Sequence, residues 1–570
     1  MSCTIGNSYT FKADDTLFEI AARELGDGNR WREVMKPNGD TFTEEEAKNL
    51  QPGQEICLLN KANPPLGWES ELVTFGEDGK LHYTLDKEKN RIPDYSYAGY
   101  RYGEVQPPNV PEVSSISPIA GDNTAHIQKA LDAVAARQPD AKGFRGALVL
   151  KPGVYELRNT IQIKANGVVL RGSGDGENPA QDTILVAKVV DKPVVQKPDH
   201  DERKPLRSVV ILGTGDSTPW EQGTATNITD DFVPVNSFSF SVEDASLFKE
   251  GDRIIIKHPS TQKWIDALDG GGVVEKSPWK PGSADIAYYR RVVRTEGSKI
   301  YLDAPIYNHL NRKLSQCSAY TVKSRNILTN VGLENLRIDI DKGGEDEKFL
   351  WNGVGVLGAE DAWVRNITAL HFGLASVYTE GALRVTVSDV KAFDPIAVRT
   401  GGRMYNFNTE KHSQFILFQN CEATNGRHHF ISNGTSSASC IVFHKCKSKG
   451  KSDKDGSASE GHRLWTQAML FDNIHEDSSD TGSISLINRG DFGSGHVWAA
   501  AHSTIWNYNG SIVVQKPPTA QNYGISSTGK VQKKFRFPGA IGSVEGEGEK
   551  GTLSPASLYE AQLQERLQPS

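Results

Sequence analysis

No stretch of this sequence is apolar for long enough to cross a bilayer, which takes about 20 such residues in a row. Neither sign of charge dominates. The 570 residues carry a net charge of −7 at pH 7, and the pI is about 6.1. A general attraction to nucleic acid or to an acidic membrane is therefore not expected, and neither is expected as a partner. Cysteine is sparse: Cys3, Cys57, Cys317, Cys421, Cys440 and Cys446. They form no Cys-x-x-Cys pair and no His/Cys cluster at zinc spacing. Methionine is sparser still, with 4 residues against 54 glycines, a balance that suits a turn-rich β protein. No signal peptide is visible. The chain opens Met1-Ser2-Cys3 and enters folded-looking sequence at once, so it is expected to be intracellular or to have lost a leader. Its length allows a large core and more than one domain.

What is present is a repeat. Short β-rich runs recur around a polar centre at Asn335, Asn366, Asp389, Asn420, Lys445, Asn473 and Asn507. The steps between these centres are 31, 23, 31, 25, 28 and 34 residues. A strand-based period in that range means a solenoid or a propeller. Strand alternation with a bend at the polar residue fits the rungs of a parallel β-helix. There the polar side chains stack at one corner and pair with each other. Cys421 and Cys446 fall at equivalent rung positions and are expected to stack as small apolar residues.

Residues 1–60 read as a separate small module. Tyr9-Thr10-Phe11 is a strand pattern. Thr16-Leu17-Phe18-Glu19 is a capping-box pattern, followed by Leu17, Ile20, Ala21 and Leu25 at helical spacing. Trp31 to Met35 reads as a second short helix and Gly53 to Leu59 as a closing strand. Cys3 and Cys57 bracket the module, where a disulfide would staple it. The run Tyr9-x-Phe11-x-x-x-Asp15-Thr16-Leu17-x-x-Ile20-Ala21, then Trp31-x-x-Val34-x-x-Pro37-Asn38, then Leu50-x-Pro52-Gly53-Gln54-x-Ile56, resembles the LysM family. That resemblance implies a small α+β LysM module binding a GlcNAc polymer, chitin or peptidoglycan. It implies a ligand groove near Asp15, Thr16 and Asn38.

Residues 61–115 are proline-rich and aromatic, end in Pro107-Pro108-Asn109-Val110-Pro111, and read as a linker with some packed segments. Asp122-Asn123-Thr124 then caps a helix with Ile127, Leu131 and Val134 on one side. Gly121-Asp122-x-Thr124-x-x-Ile127-Gln128-x-Ala130, then Gly153-x-Tyr155, then Val168-x-Leu170-Arg171-Gly172-x-Gly174, resembles the opening of the pectate lyase-like β-helix superfamily. The resemblance implies a mostly β, right-handed parallel β-helix over 116–530, plugged at its N-terminal end by that helix. Residues 236–310 break the rung pattern and read as a β-rich insertion carrying Trp264 and Trp279. Residues 531–570 read as a tail with a short docking helix.

Eight of the 14 histidines lie within 399–522, close to several arginines. Arg427, His428, His429, His462, Arg463 and Arg489 are the expected catalytic group, because they precede successive rung corners. Trp465, Trp264, Asn406 and His496 are expected to help hold substrate. The chemistry that needs Arg and His beside a polymer is β-elimination on a uronic acid. An arginine neutralises the carboxylate, and a base near neutral pH removes the weakly acidic C5 proton. Ca²⁺ could share the neutralisation, although no tight Asp/Glu cluster demands it, and the usual pectate lyase calcium aspartates do not map cleanly onto this chain. The expected function is therefore a polysaccharide lyase. The alternatives are a glycoside hydrolase using a carboxylate pair drawn from Asp453, Asp455, Glu460, Asp472 and Asp491, and a glycan-binding protein without catalysis. Glycan work of this kind places the protein outside the cell or at its surface. Sequons at Asn227, Asn366, Asn433 and Asn509 add little to that.

Overall fold

The computed structural model describes residues 7–13, 15–24, 28–37, 40–58, 68–76, 78–188, 208–272, 278–341, 350–450, 459–477, 483–493, 495–533, 535–548 and 552–568. The chain forms two compact units. The smaller comprises Met1–Thr84 with Gly551–Pro555 and Gln564–Ser570; the larger comprises Leu85–Lys550 with Ala556–Leu563.

In the smaller unit, Asn7–Thr10 and Glu55–Leu58 form an antiparallel pair, with Tyr9 opposite Ile56. The helix Leu17–Glu24 buries Leu17, Ile20 and Ala21 against Phe11, Val34 and Ile56. Thr16 Oγ1 accepts the Glu19 amide at 3.1 Å, capping one of the helix's unpaired donors. A 3₁₀ turn, Gly28–Glu33, and a helix, Glu44–Lys48, complete the frame. Cys57 is disulfide-bonded; its expected partner Cys3, like Leu25 and Asn38, lies outside the described residues.

The expected linker is built into structure. Val73–Phe75 and Leu81–Tyr83 pair as a hairpin in the smaller unit. In the larger unit, Ile92, Tyr95, Tyr100 and Val110 are buried, and Tyr95 Oη donates to Thr504 Oγ1 at 2.8 Å. Its aromatic side chains pack this segment onto the solenoid, so the packed part of the expected linker is extensive.

The larger unit is a right-handed parallel β-helix. An 18-stranded and a ten-stranded sheet run along it, and nearly all their neighbouring strands are parallel and in register. Each rung of the larger sheet bends at one of the polar centres. All seven have positive φ, from 51° at Lys445 to 60° at Asn335. Left-handed backbone costs most L-residues about 1–2 kcal/mol and is tolerated best by Asn and Asp, which explains the repeat. The amides pair along the stack: Asn366 Nδ2 donates to Asn335 Oδ1 at 2.9 Å, and Asn507 Nδ2 to Asn473 Oδ1 at 2.7 Å. Lys445 departs from the pattern; its ammonium reaches Glu560 at 2.6 Å.

Inside the solenoid, residues in register stack face to face. Phe418, Phe443 and Phe471 lie 4.8 and 5.3 Å apart between successive ring centroids. Cys421 and Cys446 are buried free thiols in the same core. The helix Thr124–Ala135 adds Ile127, Leu131 and Val134 to that core at one end. The insertion is wider than expected. Its antiparallel sheet also recruits Trp220–Asn227 and Ser318–Arg325, which pair with each other. The solenoid also runs past residue 530, because Ser543–Glu547 pairs in parallel with Tyr523–Ser527. No helix among the described residues is long and apolar enough to cross a membrane.

Candidate active site

Tyr405–Thr409, His428–Ser432 and Ser459–Gly461 are successive strands of the ten-stranded sheet. Tyr405 pairs with His428, and Ile431 with Glu460. Side chains two apart on a strand share a face, so Glu460 and His462 project together. The result is a tight group of Tyr405, His428, Glu460 and His462. His462 is its hub. Its ring lies 5.4 Å from Tyr405, 5.1 Å from His428 and 4.7 Å from His496.

The polar contacts give the group a direction. His462 Nδ1 lies 2.6 Å from Glu460 Oε1. Its Nε2 lies 3.3 Å from the Tyr405 hydroxyl. Arg427 Nη1 donates to that same hydroxyl oxygen at 3.3 Å, and the Gly402 amide does so at 3.1 Å. Arg489 forms an ion pair with Glu460 and lies 2.7 Å from His462 Nδ1, with its guanidinium over the Phe492 ring. Burial holds the His462 pKa well below its ordinary value, and His496, His428 and Arg427 push the same way. His462 is therefore a neutral imidazole backed by a carboxylate.

Of the expected catalytic residues, Arg427, His428, His462 and Arg489 meet here. Arg463 stands beside them but reaches away, donating to the Asn433 carbonyl at 3.1 Å and approaching Glu410 at 3.8 Å. His429 is a correction. As the next residue on a strand it faces the opposite way from His428. It lies 3.8 Å from Glu476, and burial lowers its pKa to about 4. Asn406 is a second correction: it is fully buried and donates its amide to the carbonyls of Ala392 and Thr424.

Trp264 and Trp465 are also corrections. Both are 0% exposed and pack edge to face at 5.5 Å, joining the insertion to the solenoid, so neither can stack on a sugar. His496 remains, packed on His462. Asp15 and Thr16 belong to the smaller unit; Asp15 accepts from Tyr9 Oη at 2.7 Å and lies 3.6 Å from Arg23.

Sequence reasoning did not single out Tyr405, and it offered Glu460 only as one of five carboxylates for a hydrolase pair. The pattern Glu460-x-His462, two residues apart, was the available signal for Glu460. Asp453 and Asp455 lie outside the described residues, and Asp491 is exposed. Two further carboxylates stand on neighbouring rungs: Glu380, at the end of Ala375–Glu380, and Glu410, just after Tyr405–Thr409. Burial, and after it the charge of Glu410, raises the Glu380 pKa.

His428, Glu460 and His462 also offer metal-ligand atoms within 4.8 Å of one another. Two imidazoles and a carboxylate suit a transition metal. Ca²⁺ instead wants about six to eight oxygens. Arg489 already takes up the Glu460 charge.

No protein-family model matches this chain, and no curated protein matches it. Solved structures do align with it. A tailspike protein from Pseudomonas phage LKA1 is 12% identical, with a TM-score of 0.37, over 75% of this chain and 71% of its own. An alginate lyase from Paenibacillus sp. FPU-7 is 8% identical, with a TM-score of 0.35, over 76% and 98%. An iota-carrageenase bound to iota-carrageenan fragments is 8% identical, with a TM-score of 0.33, over 78% and 89%.

Proposed function

We propose that this protein is a polysaccharide-degrading enzyme that cleaves a uronic-acid glycan by β-elimination at the Tyr405–His462–Glu460 group. The observation that carries this reading is an imidazole placed between a tyrosine hydroxyl and a carboxylate, with a guanidinium on the tyrosine oxygen. Arg427 neutralises the uronate carboxylate and so acidifies the C5 proton. Tyr405 oxygen takes that proton as its own passes to His462 Nε2. Glu460 stabilises the imidazolium that forms. The C5 electron pair becomes the C4–C5 double bond and the C4–O bond breaks. The proton returns through Tyr405 to the departing glycosidic oxygen.

Tyr405 is 2% exposed and the loop 394–404 meets its hydroxyl through Gly402, so this reading requires the site to open. That loop is tied down by Gly402 on the Tyr405 hydroxyl and by Arg399 on the Gly426 carbonyl at 3.1 Å.

A specific observation favours hydrolysis as the second reading. Glu380 and Glu410 stand at the ends of neighbouring strands, and the raised pKa of Glu380 suits a general acid. A panel of acidic and neutral polysaccharides separates the two. Elimination yields ultraviolet-absorbing unsaturated uronates, whereas hydrolysis yields new reducing ends without them.

The smaller unit adds a GlcNAc-polymer site in this reading, supported by its LysM-like motifs and its strand–helix–helix–strand frame. Retention of the protein on chitin or peptidoglycan tests it. Both activities suit an extracellular or cell-surface setting.

A further inference from the structure

A groove of about 530 Å³ runs along the outside of the solenoid over the polar bends, on the 18-stranded sheet. The candidate active site belongs to the other sheet. One row of its floor is Asn335, Asn366, Asp389, Asn420 and Lys445, one residue per rung. Five rungs at about 4.8 Å each make this row about 19 Å long. A second row, two residues further along each strand, is Lys391, Glu422 and Lys447, paired in register on neighbouring strands.

Two features define what this groove recognises. The charges alternate along the second row, so each side chain lies next to its opposite. A ligand of uniform charge would meet repulsion at every other rung. The amides of the first row are only partly used. Asn366 donates one N–H to Asn335 at 2.9 Å, and Asn420 donates one to Asp389 at 3.4 Å. Each amide keeps a second N–H, and its oxygen has room for a further bond. The floor thus mixes amide donors and acceptors with side chains of both charge signs, Asp389, Lys391, Glu422, Lys445 and Lys447. Asp175 accepts from Thr368 and Lys391 beside the middle rungs, and the pair Lys445–Glu560 stands at one end.

We infer that this groove is a second glycan site, which takes an extended, uncharged oligosaccharide and holds it by its hydroxyl groups. The inference does not rest on the proposed lyase reaction, and its test measures binding without turnover.

The test is isothermal titration of the full chain with cellohexaose, mannohexaose and xylohexaose, and with a hexauronate as the charged comparison. Asn420→Asp keeps a residue that tolerates positive φ while exchanging an amide donor for a charge. Glu422→Ala with Lys447→Ala removes the alternating row. A neutral hexasaccharide should bind, and either variant should weaken it by about tenfold or more, as expected for losing a bond to a charged or amide group. Tyr405→Phe should leave that binding unchanged. The inference is overturned if no neutral hexasaccharide binds, if only the hexauronate binds, or if binding survives both groove variants in folded protein.

Discussion

His462 places one ring nitrogen 2.6 Å from Glu460 Oε1 and the other 3.3 Å from the Tyr405 hydroxyl. One strand spacing, Glu460-x-His462, creates this arrangement, and the in-register neighbour His428 closes it. If the group works as a proton relay, His462→Ala should lower turnover by about 10²–10⁴, the scale for losing an acid–base residue. Because burial keeps His462 neutral, the rate of the wild-type enzyme should show no acid limb near an ordinary histidine pKa of about 6.5. A pH–rate profile checks both points. An acid limb near that value that disappears in His462→Ala would contradict the relay.

Glu460 also holds the buried guanidinium of Arg489. Glu460→Gln strands that charge in the protein, and breaking such a pair typically costs about 3–5 kcal/mol. The variant should therefore unfold earlier on heating. Arg489→Met in the same background should recover part of the loss, because it removes the stranded charge.

The ladder makes a separate prediction. Asn366 sits at φ 52° and donates to Asn335. Asn366→Ala should lose about 1–2 kcal/mol to the left-handed backbone and about 1 kcal/mol for the bond. Asn366→Gly keeps the backbone conformation accessible and should cost less. Equal melting temperatures for the two variants would count against the corner account.

His444 offers a pH dependence. It lies buried, 3.5 Å from Asp472 and 3.2 Å from Glu560. Burial disfavours its charge, but the two carboxylates outweigh that and raise its pKa to about 9. Glu560 is lowered to about 2, since the partnership with His444 and Lys445 outweighs its own burial. The raised His444 pKa adds stability that is full below about 6.5 and lost as pH rises through about 9. The lowered Glu560 pKa adds stability that is full above 4.5 and lost as pH falls through about 2. Asp472 also accepts from Ser557 Oγ and from the Tyr559 amide, so this cluster anchors the start of the C-terminal helix. Protection of 558–563 from hydrogen exchange, normalised for intrinsic rate, should fall above pH 9 in the wild type and already at neutral pH in His444→Ala.

The corners were legible in the sequence because Asn and Asp tolerate positive φ best, so the backbone demand writes itself as Asn or Asp at six of the seven rungs, Lys445 being the exception. The capping helix was legible from its apolar spacing. Sidedness was not. His428 and His429 look equivalent in sequence, and only strand register shows that one joins Tyr405 while the other faces Glu476. Trp264 and Trp465 carried the same ambiguity, since a tryptophan that stacks on sugar and one that locks two sheets together have the same letter. Glu460 stands on a strand of three residues, too short to show alternation.

In the proposed reaction Tyr405, His462 and Glu460 eliminate rather than hydrolyse. The most direct test is the mass of the oligosaccharides released from a uronate polysaccharide in oxygen-18 water. Elimination consumes no water, so the account predicts unsaturated products without the heavy isotope, formed by the wild type and largely lost in Tyr405→Phe. Saturated products carrying oxygen-18 at the new end, formed equally well by Tyr405→Phe, would contradict it and direct attention to Glu380 and Glu410.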